Sequence, residues 1–224
     1  MTPDGPSVVL VGAPSSSGAN AAGLERAPAH LRRCGLLTEL SKRGLLIHDA
    51  GNTVSRRYQT DRQNPTERNL GAVVDCARDV RDLALGLLAQ TRRLLLLGGD
   101  CTVTTGLVSA AVKNWPRLGL IYVDSQTDLN TPAETTTGIL DSMGLAHMLG
   151  ATDNALSRLA DVFPMLNPGR VVAFGFHPER INEVEHRLLS CFNIASYPAP
   201  QITGAVELHA TEAYPRWKST ATPT

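Results

Sequence analysis

Short runs of consecutive apolar residues recur along this chain, and most end in glycine or an acid. Ser7 to Val11 is closed by Gly12-Ala13-Pro14, and Leu45-Leu46-Ile47 follows Arg43-Gly44. Leu94 to Leu97 runs into Gly98-Gly99-Asp100-Cys101, and Leu120 to Val123 runs into Asp124. Runs that are apolar throughout, rather than alternating, suit strands buried on both faces of a parallel sheet. Arg170 to Gly175 reads as another such strand and Phe192 to Ser196 as a last one.

Between these runs the period changes. From Glu67 to Gln90, Leu70, Val73, Val74, Ala77, Val80, Leu83, Ala84, Leu87 and Leu88 fall at i, i+3, i+4 steps. That spacing predicts a long amphipathic helix. Shorter helices are predicted from Pro28 to Arg43, Thr102 to Asn114, Ser142 to Leu149, Ala155 to Phe163, Pro178 to Ser190 and Pro200 to Ala213. Asn52 to Thr66 is polar and reads as loop.

Strands alternating with helices predict a three-layer α/β/α fold with a mainly parallel sheet. Residues 1–213 are expected to form one domain, followed by a loose tail over 214–224. The polar turns after Leu97 and Val123 fall at strand C-terminal ends, the edge where open α/β sheets bind ligands.

Composition narrows the function. The 224 residues carry a formal net charge of zero and 4% aromatics. Neither a basic face for nucleic acid nor an aromatic platform for bases is expected. Cys34, Cys76, Cys101 and Cys191 show no disulfide or metal-type spacing. No apolar stretch approaches membrane-spanning length and the first residues lack a signal-peptide pattern, so the expectation is a reduced, cytoplasmic protein.

The candidate chemistry gathers at the two polar turns. Asp124 and Asp128, four residues apart beyond a buried strand, can converge on one point. As metal ligands they would share an ion. Without one they repel, and one carboxyl should hold a raised pKa suited to acid–base work; the alternative is an acidic rim that only solvates or caps. Asp100 and Thr102 precede a helix and can cap it. Cys101 stands at the same helix start, where a thiol pKa is lowered and a nucleophile can form; the alternative is an inert buried cysteine. His147 reads as structural, His177 follows a strand end and could face the cleft, and Glu134 reads as a solvated loop acid.

Gly98-Gly99-Asp100-Cys101 resembles the GGDH motif of the arginase, agmatinase and formimidoylglutamase family, the manganese ureohydrolases. Asp124-Ser125-Gln126-Thr127-Asp128 resembles the family's DAHxD. Residues 129–138 resemble its substrate loop and Met143 to Gly150 the helix beyond, with weaker likeness over Val8 to Asn52 and Val171 to Cys191. The resemblance implies the family's fold and a site that, in the family, holds two Mn²⁺ with aspartates and histidines. Here the histidine positions are Cys101 and Gln126, and nothing after Asp161 resembles the later SxDxDxxDP motif. Asp124 and Asp128 remain as remnant ligand positions, so no bound Mn²⁺ is expected.

The resemblance implies further roles. Asp141 aligns with the family's proton-shuttling histidine. Asn130, Thr135 and Thr137 align with residues that hold the substrate α-carboxylate. The aspartate for the α-amino group falls near Glu179-Arg180, where Arg180 would repel an ammonium. The family's strand order, 2-1-3-8-7-4-5-6, would lose its two inserted strands. Strands 3 and 4 are then expected to pair directly as 2-1-3-4-5-6, unless another chain fills the gap.

The functional expectation is a shortened, degenerate member acting as an amino-acid-binding or partner subunit. It would bind a small amino-acid-like molecule and form a homo-oligomer or hetero-complex, with no nucleic-acid or membrane partner. The alternatives are a metal-independent enzyme on a guanidino or amino-acid-derived metabolite, using Asp124, Asp128, Asp141 or Cys101, and, third, a residual Mn²⁺ ureohydrolase.

Overall fold

The computed structural model of the protein describes residues 7–91 and 93–218, the last five without side chains. The apolar run at the start forms β1 (Ser7–Ala13), which takes parallel partners on both sides: β2 (Leu46–Asn52) and β3 (Leu94–Gly98). A second parallel sheet contains β4 (Leu120–Val123), β5 (Val171–Phe174) and β6 (Ala195–Tyr197), with β5 in the middle.

The expected continuous order is corrected here. The strands form two three-stranded sheets, β2-β1-β3 and β4-β5-β6, and β3 does not pair with β4. The helix layer joins the halves instead. Helix α3 (Leu70–Leu88) and helix α4 (Val103–Asn114) pack closely, with Gly106 against the Ala77 carbonyl. Their Val73, Val74, Ala77, Val108 and Val112 enter one core cluster with Tyr122 of β4, Met143 and Leu145. Among the described residues β4 has β5 as its one strand partner. One result is that β4 exposes Val123 (72%) and Ile121 (41%), unusual for a parallel strand.

The shorter elements follow local chemistry. The first helical region divides into α1 (Ala27–Arg33) and α2 (Leu36–Lys42), because Gly35 between them takes a left-handed conformation, φ 86°. Helix α5 (Gly144–Met148) is preceded by a 3-10 turn at Leu140–Met143. Helix α6 (Glu183–Cys191), α7 (Ala199–Ile202) and α8 (Val206–Lys218) complete the chain.

The helix expected over Ala155 to Phe163 does not form; the segment is turns and bends. Asn154 Oδ1 accepts from the backbone N–H groups of Leu156 and Ser157, both 3.0 Å, which offers the backbone an alternative to helix. The expected break at Tyr214 is also absent. Helix α8 continues through Lys218, and the rest of the predicted loose tail lies outside the described residues. Among the described residues no helix is long and apolar enough to cross a membrane.

Candidate functional site

The turn after β3 is built around Asp100, which is 2% exposed. Its carboxylate accepts from Ser15 Oγ (2.8 Å), Gly18 N (3.1 Å), Thr102 N (3.1 Å) and Thr102 Oγ1. Asp100 therefore ties the loop after β1 to Thr102, the residue before α4; the expected side-chain cap is not made, since Thr102 at the N-cap position forms no capping bond. Fully bonded on both oxygens, it is a positioning residue for Cys101.

Three loops bring the reactive side chains together. Single donor atoms of Cys101, Asp124 and Asp128 lie within 4.8 Å of one another. Asp141, from the 3-10 turn before α5, accepts from the Cys101 backbone N–H at 2.5 Å. Tyr122, the one polar side chain in the apolar β4 run, donates its Oη–H to Asp128 Oδ2. Asp128 itself takes a left-handed conformation, φ 49°, which aspartate tolerates better than most residues.

Electrostatics at this point follow from burial. Asp128 is 4% exposed, and burial pushes its carboxyl up to about 8; the Tyr122 hydrogen bond opposes the rise, while the charges of Asp124, Asp141 and Glu185 add to it. A raised carboxyl in this pair was expected from repulsion, but desolvation is the larger cause. Burial likewise raises Asp141, against the Cys101 N–H bond. Cys101 reverses the expectation for a helix start. Burial, then the carboxylates of Asp141, Asp128 and Asp124, push its thiol far above the usual range. It is held protonated and is a poor nucleophile. The sequence places Cys101 before a helix but does not reveal acids arriving from other loops.

These groups open onto a cavity of about 520 Å³. Asn130, Thr136, Thr137 and Ser142 line it together with Gln126, Arg180, Asn182 and Glu185. Of the three predicted carboxylate holders, Asn130 and Thr137 reach the cavity, whereas Thr135 does not and Thr136 does. Thr135 Oγ1 accepts from Thr137 N (3.1 Å) and Gly138 N (3.0 Å), which fixes the loop instead. Gln126 Nε2 donates to the Arg180 carbonyl at 3.3 Å.

Other sequence candidates separate cleanly. His147 is fully buried; its Nδ1 donates to the Met143 carbonyl at 2.7 Å and its Nε2 accepts from Asn154 Nδ2 at 3.0 Å. That structural role is the expected one. His177 does not line the cavity and pairs with Glu179 at 3.0 Å. Glu134 is not simply solvated: it pairs with Arg187 at 2.7 Å. Sequence reasoning missed Tyr122 and Glu185. Glu185 is buried, accepts from Thr127 Oγ1 at 2.8 Å and closes a capping box with Asn182. The spacing Asn182-x-x-Glu185 before a helix was the available signal.

The model of the family described as "Arginase family" matches residues 6–220. The chain belongs to the arginase family. It is 29% identical over 191 residues to arginase-1 of Sus scrofa, covering 84% of this chain and 59% of that one. It is 28% identical over 166 residues to the arginase of Brevibacillus brevis, covering 74% and 56%. The chain thus spans less than two thirds of the length of these relatives. Among solved structures, arginase from Bacillus caldovelox superposes with a TM-score of 0.83 at 22% identity, covering 96% of this chain and 72% of that one. Entamoeba histolytica arginase in complex with L-ornithine gives 0.81 at 19%, covering 95% and 72%. These structures share the fold.

Membership of the arginase family raises the question of manganese, and the donor set answers it. Mn²⁺ prefers hard oxygen and imidazole-type donors in high coordination. The convergent donors are two carboxylates and one soft thiol, with Gln126 bonded to a backbone carbonyl and no imidazole among them. That set does not fit a pair of Mn²⁺ ions.

Proposed function

We propose that this arginase-family chain binds a small amino-acid-like cation in its cavity, as a binding or partner subunit, without the two-manganese hydrolysis. One observation carries the reading. Asp124, Asp128 and Asp141 face a 520 Å³ cavity together, while the neighbouring positions offer Cys101 and Gln126 in place of imidazoles. Carboxylates on a partly desolvated floor favour an amine or guanidinium. Asn130, whose Nδ2 makes no hydrogen bond among the described residues, leaves a donor for the ligand's carboxylate. The L-ornithine held by the Entamoeba relative is a ligand of this kind.

Calorimetry with L-ornithine and L-arginine in chelator tests it. Wild type is expected to bind, and Asn130→Ala with Thr137→Ala to weaken binding by about tenfold, the value of roughly one charge-assisted hydrogen bond. Equal affinity for both proteins would count against the loop's role.

A second experiment addresses the chemistry. Cys101→His with Gln126→His restores two imidazoles, yet the expected urea release from arginine with Mn²⁺ stays at background. Catalytic groups that act as a unit are not restored one at a time. Clear Mn²⁺-dependent urea release would show that the ligands missing from this chain reach the site by another route.

The Tyr122–Asp128 pair favours one further reading, a metal-independent acid–base enzyme on a guanidino or amino-acid-derived compound. Under it, Asp128→Asn abolishes a turnover that survives chelator, whereas a binding subunit shows no such turnover to lose.

A further inference from the structure

The donor set that does not suit two Mn²⁺ ions has a geometry of its own. Cys101 Sγ stands 4.0 Å from Asp124 Oδ2. One donor atom each from Cys101, Asp124 and Asp128 lies within 4.8 Å of the others. A tetrahedral zinc ion holds sulfur at about 2.3 Å and carboxylate oxygen at about 2.1 Å, which sets those two atoms about 3.6 Å apart. Closing the observed gap takes a shift of about 0.4 Å, which a small side-chain rotation supplies.

Each donor is also held from behind. Asp124 accepts the Gln126 N–H at 3.1 Å through Oδ1, which leaves Oδ2 toward the thiol. Asp128 accepts from Tyr122 through Oδ2, and its Oδ1 makes no hydrogen bond among the described residues. Asp128 is nonetheless buried, and it lines the cavity. The Cys101 N–H is bound by Asp141, and the Cys101 carbonyl accepts from Thr104 N at 3.1 Å. Metal ligands are oriented in this way, by partners that bond the atoms not offered to the ion.

We propose that Cys101, Asp124 and Asp128 form a site for one thiophilic divalent cation, Zn²⁺. The inference stands on these donor atoms and does not need the amino-acid reading of the cavity. Sulfur decides the metal. Mg²⁺, Ca²⁺ and Mn²⁺ favour oxygen donors, whereas Zn²⁺ accepts thiolate and carboxylate together and needs only four ligands. On binding, the Sγ–H bond breaks, an S–Zn bond forms and the proton leaves to solvent, because a coordinated thiol is deprotonated outright. With three protein donors lining the cavity, the fourth position is left to water or to a bound ligand.

The test uses the full chain, stripped with chelator, kept reduced and titrated with Zn²⁺, Mn²⁺ and Co²⁺. One Zn²⁺ per chain is expected, bound at least about a hundredfold more tightly than Mn²⁺. Co²⁺ should give a sulfur-to-metal charge-transfer band in the near ultraviolet. Cys101→Ser should remove that band and weaken Zn²⁺ on the order of a hundredfold, and Asp128→Asn should weaken it about as much. Cys34→Ser is the control, because Cys34 Sγ lies 3.4 Å from His30 Nε2 on the surface and offers a soft metal another seat. That variant should bind as wild type does. Wild type alone can sink the proposal: no Zn²⁺ bound, Mn²⁺ bound as tightly, or cobalt without a sulfur band overturns it whether or not the variants fold. A band lost in Cys34→Ser and kept in Cys101→Ser overturns it too. None of these outcomes bears on amino-acid binding in chelator, so the two readings fail separately.

Discussion

Asp128→Asn is expected to stabilise the protein, and by more at pH 8 than at pH 5. Burial holds the Asp128 carboxyl near 8 in the folded chain, against an ordinary value of 3.8. Between those values the folded chain keeps a proton that the unfolded chain has released. The contribution to stability is thus fully present below about pH 4 and is lost as pH rises toward 8. A tenfold change in proton concentration corresponds to about 1.4 kcal/mol, so pH 5 to 8 spans at most about 4 kcal/mol for one such group. The charges of Asp124, Asp141 and Glu185 contribute to the rise at Asp128, and a net gain of about 2 kcal/mol at pH 8 is the expectation. Asparagine is neutral at every pH, and its Oδ1 still accepts from Tyr122. Melting curves in chelator should show the variant about 5 °C higher at pH 8, with a smaller gap at pH 5. A variant that melts below wild type at both pH values would show that the carboxyl is not the burden its burial implies.

Gly99→Ala should do the opposite, severely. A methyl group on Gly99 would lie 1.8 Å from the Ser15 carbonyl oxygen, 2.8 Å from its carbon and 2.9 Å from its nitrogen. These are backbone atoms, so no flexible side chain can move aside. Ser15 O also accepts from Asp100 N at 3.0 Å, so relieving the clash pulls apart the junction that positions Cys101. Overpacking costs about 1–3 kcal/mol, occasionally more; with rigid neighbours about 3 kcal/mol or more is expected, a fall of roughly 10 °C. Gly86→Ala is the control. Gly86 is exposed in α3 with nothing near its missing Cβ, and alanine there should be neutral or stabilising by up to about 1 kcal/mol. Equal melting temperatures for Gly99→Ala and wild type would refute the close-approach account of this glycine.

The sequence marks Gly98-Gly99 only as part of a motif at a strand end; the close backbone approach at Gly99 appears in the fold. Much of the architecture was nonetheless readable from local pattern. Leu94 to Leu97 and Leu120 to Val123 are apolar without alternation, and both are strands; the 3.6-residue period from Leu70 to Leu88 is a helix over that span. Where local side chains compete with the backbone, the pattern misled. Asn154 turned Ala155 to Phe163 away from helix, and Gly35 divided a helix that apolar spacing alone had joined.

By itself, then, the sequence determined the strand and helix alternation, the two acidic turns at strand ends and the replacement of imidazoles by Cys101 and Gln126. Those features depend on residues close together in the chain. Tertiary structure alone decided the separation of the strands into two sheets, which depends on contacts between segments far apart in the chain, among them the core that α3 and α4 share with Tyr122 of β4. It also decided the state of Cys101. A helix start lowers a thiol pKa through nearby N–H groups, but burial among Asp124, Asp128 and Asp141, brought from two other loops, reverses that effect. The Tyr122–Asp128 bond and the meeting of Arg180 and the acids in one cavity belong to the same class. Each depends on distances between segments tens of residues apart or on the depth of burial, which no local spacing encodes.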